Sequence, residues 1–328
     1  MSSNTRQDLG VGVGLRVPHY AAILAQTPHV DFFEVISENF MLEGGKPLYY
    51  LDRVLEHHRV VQHGVSLGIA GPEPLDAEYL KRLKALARRT RSPWVSDHFC
   101  WCGAGGAHLH DLLPIPYTRA AVERVVARAR QVQDFLELPF ALENTSSYLS
   151  YRSSTLSEWE FIGEIAERAD IKLLFDVNNV FVSAYNHGFD AEEFVRSVPH
   201  DRIVQIHLAG HTHHGSYIID THRGHVPERV LELYRLTIAL AGPVSTLVEW
   251  DDEIPELSVL LAEAERARRV REEGLELHRA ARDPGRIDPA HEPAAPMLTQ
   301  QADEPRVAPS TGWLQGGPRD LASNETAL

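Results

Sequence analysis

Thiols are scarce in this chain. Its 328 residues include two cysteines, Cys100 and Cys102, one residue apart. That count excludes a disulfide framework and makes a reducing, cytoplasmic setting the expectation. No run approaches the roughly 18 apolar residues that a membrane helix needs, so no membrane partner is expected. The stretch Met1-Ser2-Ser3-Asn4-Thr5-Arg6-Gln7-Asp8 is polar and lacks the apolar core of a signal peptide. Positive charge is also short: 32 Lys and Arg stand against 46 Asp and Glu, a formal net charge of −14. This balance argues against a broad phosphate-gripping face, and so against a nucleic-acid partner. Hydrophobic residues at 43% and charged residues at 24% exclude wholesale disorder.

Histidine is plentiful by contrast, at 18 residues. Position decides what such residues do, and position follows from the fold. Short β-branched or aromatic runs recur at 12–17, 31–37, 60–67, 94–99, 140–144, 172–177, 203–208 and 246–250, with helix-period stretches between them. Ser157 and Glu160, and Asp190 and Glu193, have capping-box spacing, while Pro227 suits the first turn of a helix. Eight βα units in this length predict an α/β fold, a (β/α)8 TIM barrel. An open doubly wound sheet fits the same alternation, since strand order is not written in one sequence. A last helix is predicted over 256–279. Beyond it, prolines at 284, 289, 293, 296, 305, 309 and 318 interrupt a stretch without hydrophobic period. The expected organisation is a flexible N-terminus over 1–9, a metal-dependent catalytic barrel over 10–282, and a disordered Pro-rich tail over 283–328.

The polar residues on these strands fall into register. His63 follows Val60-Val61-Gln62, His98 follows Trp94-Val95-Ser96-Asp97, and Glu143 follows Phe140-Ala141-Leu142. Asp176, His207 and Glu249 close the next three runs in the same way. Six successive strands thus end in a metal-ligand residue type, and in a barrel those ends converge on one face. Ser96, Ala141 and Leu247 precede their ligands by two, as an inward-facing column requires. Loops add Asn179, Asp220 and His222. One such residue alone reads as a structural hydrogen-bonding group or a cap; six in register read as a metal centre. The donors are nitrogen and oxygen without thiolate, which suits Zn, Mn or Fe. Nine candidates exceed what one ion holds. Asn144, Asn178 and His211 are expected to support the ligands or meet substrate, His211 by orienting His207 or else by standing in solvent. Cys100 and Cys102 read as ordinary semi-buried thiols.

Several strings carry a resemblance. Phe33-Glu34-Val35-Ile36-Ser37-Glu38-Asn39-Phe40, His63-Gly64-Val65-Ser66-Leu67, Ser96-Asp97-His98 and Leu142-Glu143-Asn144 are similar to the multinuclear non-haem iron-dependent oxidative enzymes. So are Asp176-Val177-Asn178-Asn179, His207-Leu208-Ala209-Gly210-His211 and Asp220-Thr221-His222, over roughly residues 10–270. The resemblance implies a TIM barrel holding two or three iron ions, mixed-valent, with dioxygen as co-substrate. It implies His63, His98 and Glu143 on one ion. Glu143 then bridges to a second ion with Asp176, His207 and Glu249, and Asn179, Asp220 and His222 hold a third. The implied reaction is oxidative modification of cysteine in a ribosomally made precursor peptide, with a small partner protein presenting the precursor. The branch it most resembles makes copper-binding peptides. A more distant likeness, to apurinic-site endonucleases and xylose-isomerase-like enzymes, implies a divalent-metal hydrolase or isomerase instead; Asn179 stands where those nucleases carry a histidine. A non-catalytic metal-binding protein is the third alternative.

Overall fold

The computed structural model describes residues 7–282, apart from the side chains of His108 and His110. The barrel strands are β1 (Val11–Gly14), β2 (Phe32–Ile36), β3 (Arg59–His63) and β4 (Val95–His98). They continue as β5 (Phe140–Glu143), β6 (Lys172–Asp176), β7 (Ile203–Leu208) and β8 (Ser245–Val248). All pair in parallel with their sequence neighbours, and β8 closes on β1 with Val11 opposite Thr246. The expected (β/α)8 barrel is therefore the fold, and the open sheet is ruled out by that last pairing.

Helices α1 (Tyr20–Gln26), α2 (Lys46–Leu55), α3 (Ala77–Thr90), α4 (Arg119–Leu136) and α5 (Glu158–Ala169) surround the strands. They are followed by α6 (Val177–His187), α7 (Ala191–Ser197), α8 (Glu228–Ala241) and α9 (Leu257–Arg282). The start signals act as their chemistry dictates. Ser157 and Glu160 form the reciprocal capping box of α5, Asp190 caps α7 through the Glu192 N–H, and Pro227 stands at the N-cap of α8.

Both faces of the sheet are apolar because both are covered. Outward residues such as Phe33, Phe140, Phe175 and Ile206 join the helices in one large core. Inward, Leu9, Phe32, Val61, Trp94, Ala141, Leu174, Val204 and Leu247 form a separate apolar layer across the lower barrel. Side chains alternate along a strand, so the residue two places further faces inward again. From Phe32, Val61, Ala141, Leu174 and Leu247 that residue is Glu34, His63, Glu143, Asp176 and Glu249. The apolar layer and the ligand layer are consecutive tiers of one column. On β7 a register shift opposite Leu173 and Leu174 leaves Val204 unpaired, after which Gln205 and His207 continue the column.

Strand 60–67 of the sequence reading stops at His63: Gly64 N–H makes a last bond to Ser96 O of β4, and Val65 N–H then turns to the Glu38 carboxylate. Of the N-terminal segment expected to be flexible, 1–6 lies outside the described residues. Leu9 is buried, and Asp8 pairs with Arg271 of α9. The tail over 283–328 also lies outside the described residues.

Candidate metal centre

Side chains from six consecutive strand ends, β3 to β8, meet at the top of the barrel. Glu143 Oε2 lies 3.0 Å from His63 Nε2 and 3.2 Å from His98 Nε2, and the two Nε2 atoms are 3.3 Å apart. The rear nitrogens fix that orientation: His63 Nδ1 meets Ser96 Oγ at 2.9 Å, and His98 Nδ1 meets Gly64 O at 3.1 Å. Three donor atoms thus face one point.

A second group adjoins it through Glu143. His207 Nδ1 lies 3.5 Å from Glu143 Oε1 and 3.1 Å from Glu249 Oε2. Glu143, Asp176 and His207 offer ligand atoms within 4.8 Å of one another, as do Asp176, His222 and Glu249. His222 Nε2 lies 3.0 Å from Asp220 Oδ1, and its Nδ1 lies 3.3 Å from Glu249 Oε2. His222 has a backbone φ of 48°, a left-handed conformation that a histidine adopts only under constraint. The constraint is visible: Asp251 N–H donates to His222 O, and Arg223 bridges to Asp252. Gly210 lets this segment close in, because a Cβ there would run into the carbonyls of Arg223 and Gly224.

Asn144 clasps the end of β6. Its Nδ2 donates to Asp176 O at 2.8 Å, and its Oδ1 accepts from Asp176 N–H at 2.9 Å. Asn179 donates through Nδ2 to Asn144 O, which leaves its Oδ1 turned the other way. Asn178 Nδ2 donates to Asp220 Oδ1 at 2.8 Å, and Asn178 Oδ1 meets His211 Nδ1 at 2.7 Å. His211 stacks on Phe181 and supports Asp220 through Asn178. It is not the residue that orients His207.

That task falls to Glu34, which the sequence reading did not place in the site. His207 Nε2 lies 3.1 Å from Glu34 Oε2, and Gln205 Nε2 donates to the same oxygen at 2.5 Å. Trp94 Nε1 in turn donates to Gln205 Oε1 at 3.0 Å. The available signal was a carboxylate in the middle of Phe32-Phe33-Glu34-Val35-Ile36, one tier above Phe32. Arg16 was missed as well: it ion-pairs with Glu249 at 3.2 Å and with Asp251 at 2.5 Å.

The electrostatics follow from this crowding. Burial alone would depress the His63 imidazole, but the Glu143 carboxylate raises it to about 9. For His98, burial outweighs Glu143 and brings it down to about 4. Burial pushes Asp176 well up, assisted by Glu143 and Asp220. Glu143 and Glu249, despite burial, are held low by the histidines around them. Buried carboxylates this close repel one another unless cations stand among them.

The buried polar atoms without hydrogen-bond partners include Glu143 Oε2, Asp176 Oδ2, Asn179 Oδ1, His207 Nδ1 and His222 Nε2. Such atoms are expensive to leave unpaired. They come from five of the nine sequence-predicted ligands, four of which also fall in the clustered groups above, with the nitrogen and oxygen chemistry of a first-row divalent site. The residues fit metal ions, and Glu143 belongs to two of the groups that could hold one.

A family model described as RiPP precursor modification enzyme MbnB/TglH/ChrH matches residues 10–272. A UPF0276 protein of Anaeromyxobacter sp. is 50% identical over 266 residues, covering 81% of this chain and 94% of that protein. Another, from Caulobacter vibrioides, is 48% identical over 260 residues, or 79% and 93% of the two chains. Among solved structures, an L-ribulose 3-epimerase aligns with a TM-score of 0.56 at 16% identity, over 85% of this chain and 98% of its own. A xylose isomerase-like TIM barrel/4-hydroxyphenylpyruvate dioxygenase fusion protein aligns with a TM-score of 0.58 at 12% identity, covering 86% of this chain but 45% of the fusion. At those identities the likeness is one of fold.

Proposed function

The chain belongs to the RiPP precursor modification enzymes of the MbnB/TglH/ChrH family, and we propose that it oxidises cysteine in a ribosomally made precursor peptide, using iron and dioxygen. The observation that carries the reading is the clustering of ligand atoms from His63, His98, Glu143, Asp176, His207, His222 and Glu249 at the strand ends.

His63, His98 and Glu143 would hold one iron. Glu143, Asp176, His207 and Glu249 would hold a second, and Asn179, Asp220 and His222 a third. Two or three such ions, mixed-valent, would supply dioxygen activation, with O2 as the oxidant. The chain supplies placement. Ser96 Oγ and Gly64 O present the Nε2 edges of His63 and His98, and Glu34 presents the Nδ1 edge of His207. Arg16 offsets part of the charge of Glu249 and Asp251. The apolar layer from Phe32 to Leu247 bars water from below, so reactants meet the ligands only from the loop side. The substrate is a cysteine-containing precursor of the copper-binding type, presented by a small partner protein in the cytoplasm. Among the described residues no helix is long and apolar enough to cross a membrane.

The test combines the chain, a candidate precursor, its partner, Fe(II) and O2. The expected result is an O2-dependent mass change located at cysteine and lost when those cysteines become serine. Stoichiometric zinc with negligible iron, no change in any peptide, and cleavage of abasic DNA would replace this reading with the hydrolase.

A further inference from the structure

A cavity of about 340 Å3 opens among the loops at the ends of the strands. Its walls come from the segment before α4, the segment between β5 and α5, the first turn of α5 and the end of α6. Apolar surface dominates, from Ile115, Tyr117, Leu156, Trp159 and Phe189. One wall residue is chemically out of place. Glu158 is 9% exposed, accepts from the Tyr117 hydroxyl, and among the described residues has no cation beside it. Without a cation there, burial pushes its carboxyl up to about 8, and a cation seated beside it would bring it back down.

The segment 146–149 touches both the cavity and a proposed ligand. Ser146 Oγ donates to Asp220 Oδ2 at 3.2 Å, and Asp220 N–H donates to the Tyr148 hydroxyl at 2.9 Å. The alternate residues, Ser147 and Leu149, line the cavity. Over 146–149, Ser146 and Tyr148 thus brace a proposed ligand while Ser147 and Leu149 line the pocket. Leu149, 63% exposed, forms an apolar lip at its mouth.

An apolar shaft with one carboxyl and no counter-ion complements a side chain with a long apolar stem and a cationic head. We propose that this cavity takes a lysine or arginine side chain of the peptide substrate, with its head on Glu158 and its stem against Tyr117, Leu156 and Trp159. The proposal rests on the peptide-modification reading and deepens it: one basic side chain anchors the chain beside the metal centre while a neighbouring stretch of the same peptide reaches the ligands.

The test uses the full chain and does not depend on turnover. N-acetyl-arginine and N-acetyl-lysine methylamides are titrated alongside the norleucine methylamide, with binding read by NMR. The basic probes are expected to bind about tenfold more tightly than norleucine, and Glu158→Gln to abolish that preference. Leu149→Arg, at an exposed position tolerant of change, is expected to weaken the basic probes alone by setting a cation at the mouth. Equal binding of norleucine, a preference that survives Glu158→Gln, or no basic-probe binding at about 20 mM overturns the proposal. In the peptide reaction, replacing one basic residue of the precursor should raise KM with little change in kcat. A precursor stripped of all basic residues yet modified equally well removes the cavity from the mechanism and leaves the peptide reading intact. If the probes bind but no peptide is ever modified, the cavity stands and the proposed function falls.

Discussion

Glu34 meets His207 at 3.1 Å through the Nε2 edge of the imidazole, and so commits the opposite nitrogen, Nδ1, to Glu143 and Glu249. A carboxylate behind a ligating histidine fixes its tautomer and its ring plane. Glu34→Gln keeps the shape but can present the wrong polarity to Nε2. Metal affinity at the Asp176–His207–Glu249 group is expected to fall by about 10–100-fold, with the His63–His98 pair little affected. Anaerobic metal titration with two resolved classes of site checks this; equal loss at both classes would contradict it.

Glu143 reaches both histidine groups through different oxygens. Glu143→Ala is therefore expected to lower occupancy at two ions, and His222→Ala at one. Metal analysis of the two purified variants decides, and matching single-ion losses would refute the bridge.

Stripping metal should also reveal the repulsion among Glu143, Asp176, Asp220 and Glu249. A ligand that binds only the folded state at about 100 times its dissociation constant adds roughly 2.7 kcal/mol. The apo protein is expected to melt lower than the metal-loaded form and to recover when Fe(II) is restored without air. A melting temperature indifferent to chelation would mean that the cluster holds no ion.

Glu158 predicts a pH dependence of stability. Its folded-state value of about 8 lies above the ordinary 4.5, so the folded protein holds a proton that the unfolded chain has released. Its contribution is complete below about pH 4.5 and is lost as pH rises through about 8. Glu158→Gln should match the wild type near pH 5 and exceed it near pH 8, by roughly 1–4 kcal/mol. Denaturant unfolding of the two proteins at both pH values measures the difference, and a gap that does not grow with pH counts against it.

The barrel and most of its donors were legible because period-two alternation and strand-end chemistry are local signals. His63, His98, Glu143, Asp176, His207 and Glu249 each follow a run that identifies itself. Glu34 escaped because it sits inside its strand, not at the end, and nothing in five residues says which tier of the barrel a carboxylate occupies. The unpaired Val204 was invisible for a related reason: a register shift depends on the neighbouring strand, and a single sequence states no pairing. For His211 the sequence leaves His207 and solvent equally open, and its loop turns it toward Asn178 instead. Arg16 and Glu249 meet across 233 positions of sequence, beyond the reach of any local pattern.

The apolar tier beneath the ligands has a consequence for traffic. Phe32, Val61, Trp94 and Leu247 stopper the lower barrel and close that end to traffic. In the proposed reaction peptide, gas and solvent then share the loop side, and whatever enters there leaves by the way it came. A seated peptide is then a cork as well as a substrate. Small reactants have to be inside before it arrives or slip past its edge, and product cannot drain from behind while the next molecule queues in front. Order of arrival thereby becomes a property of the fold.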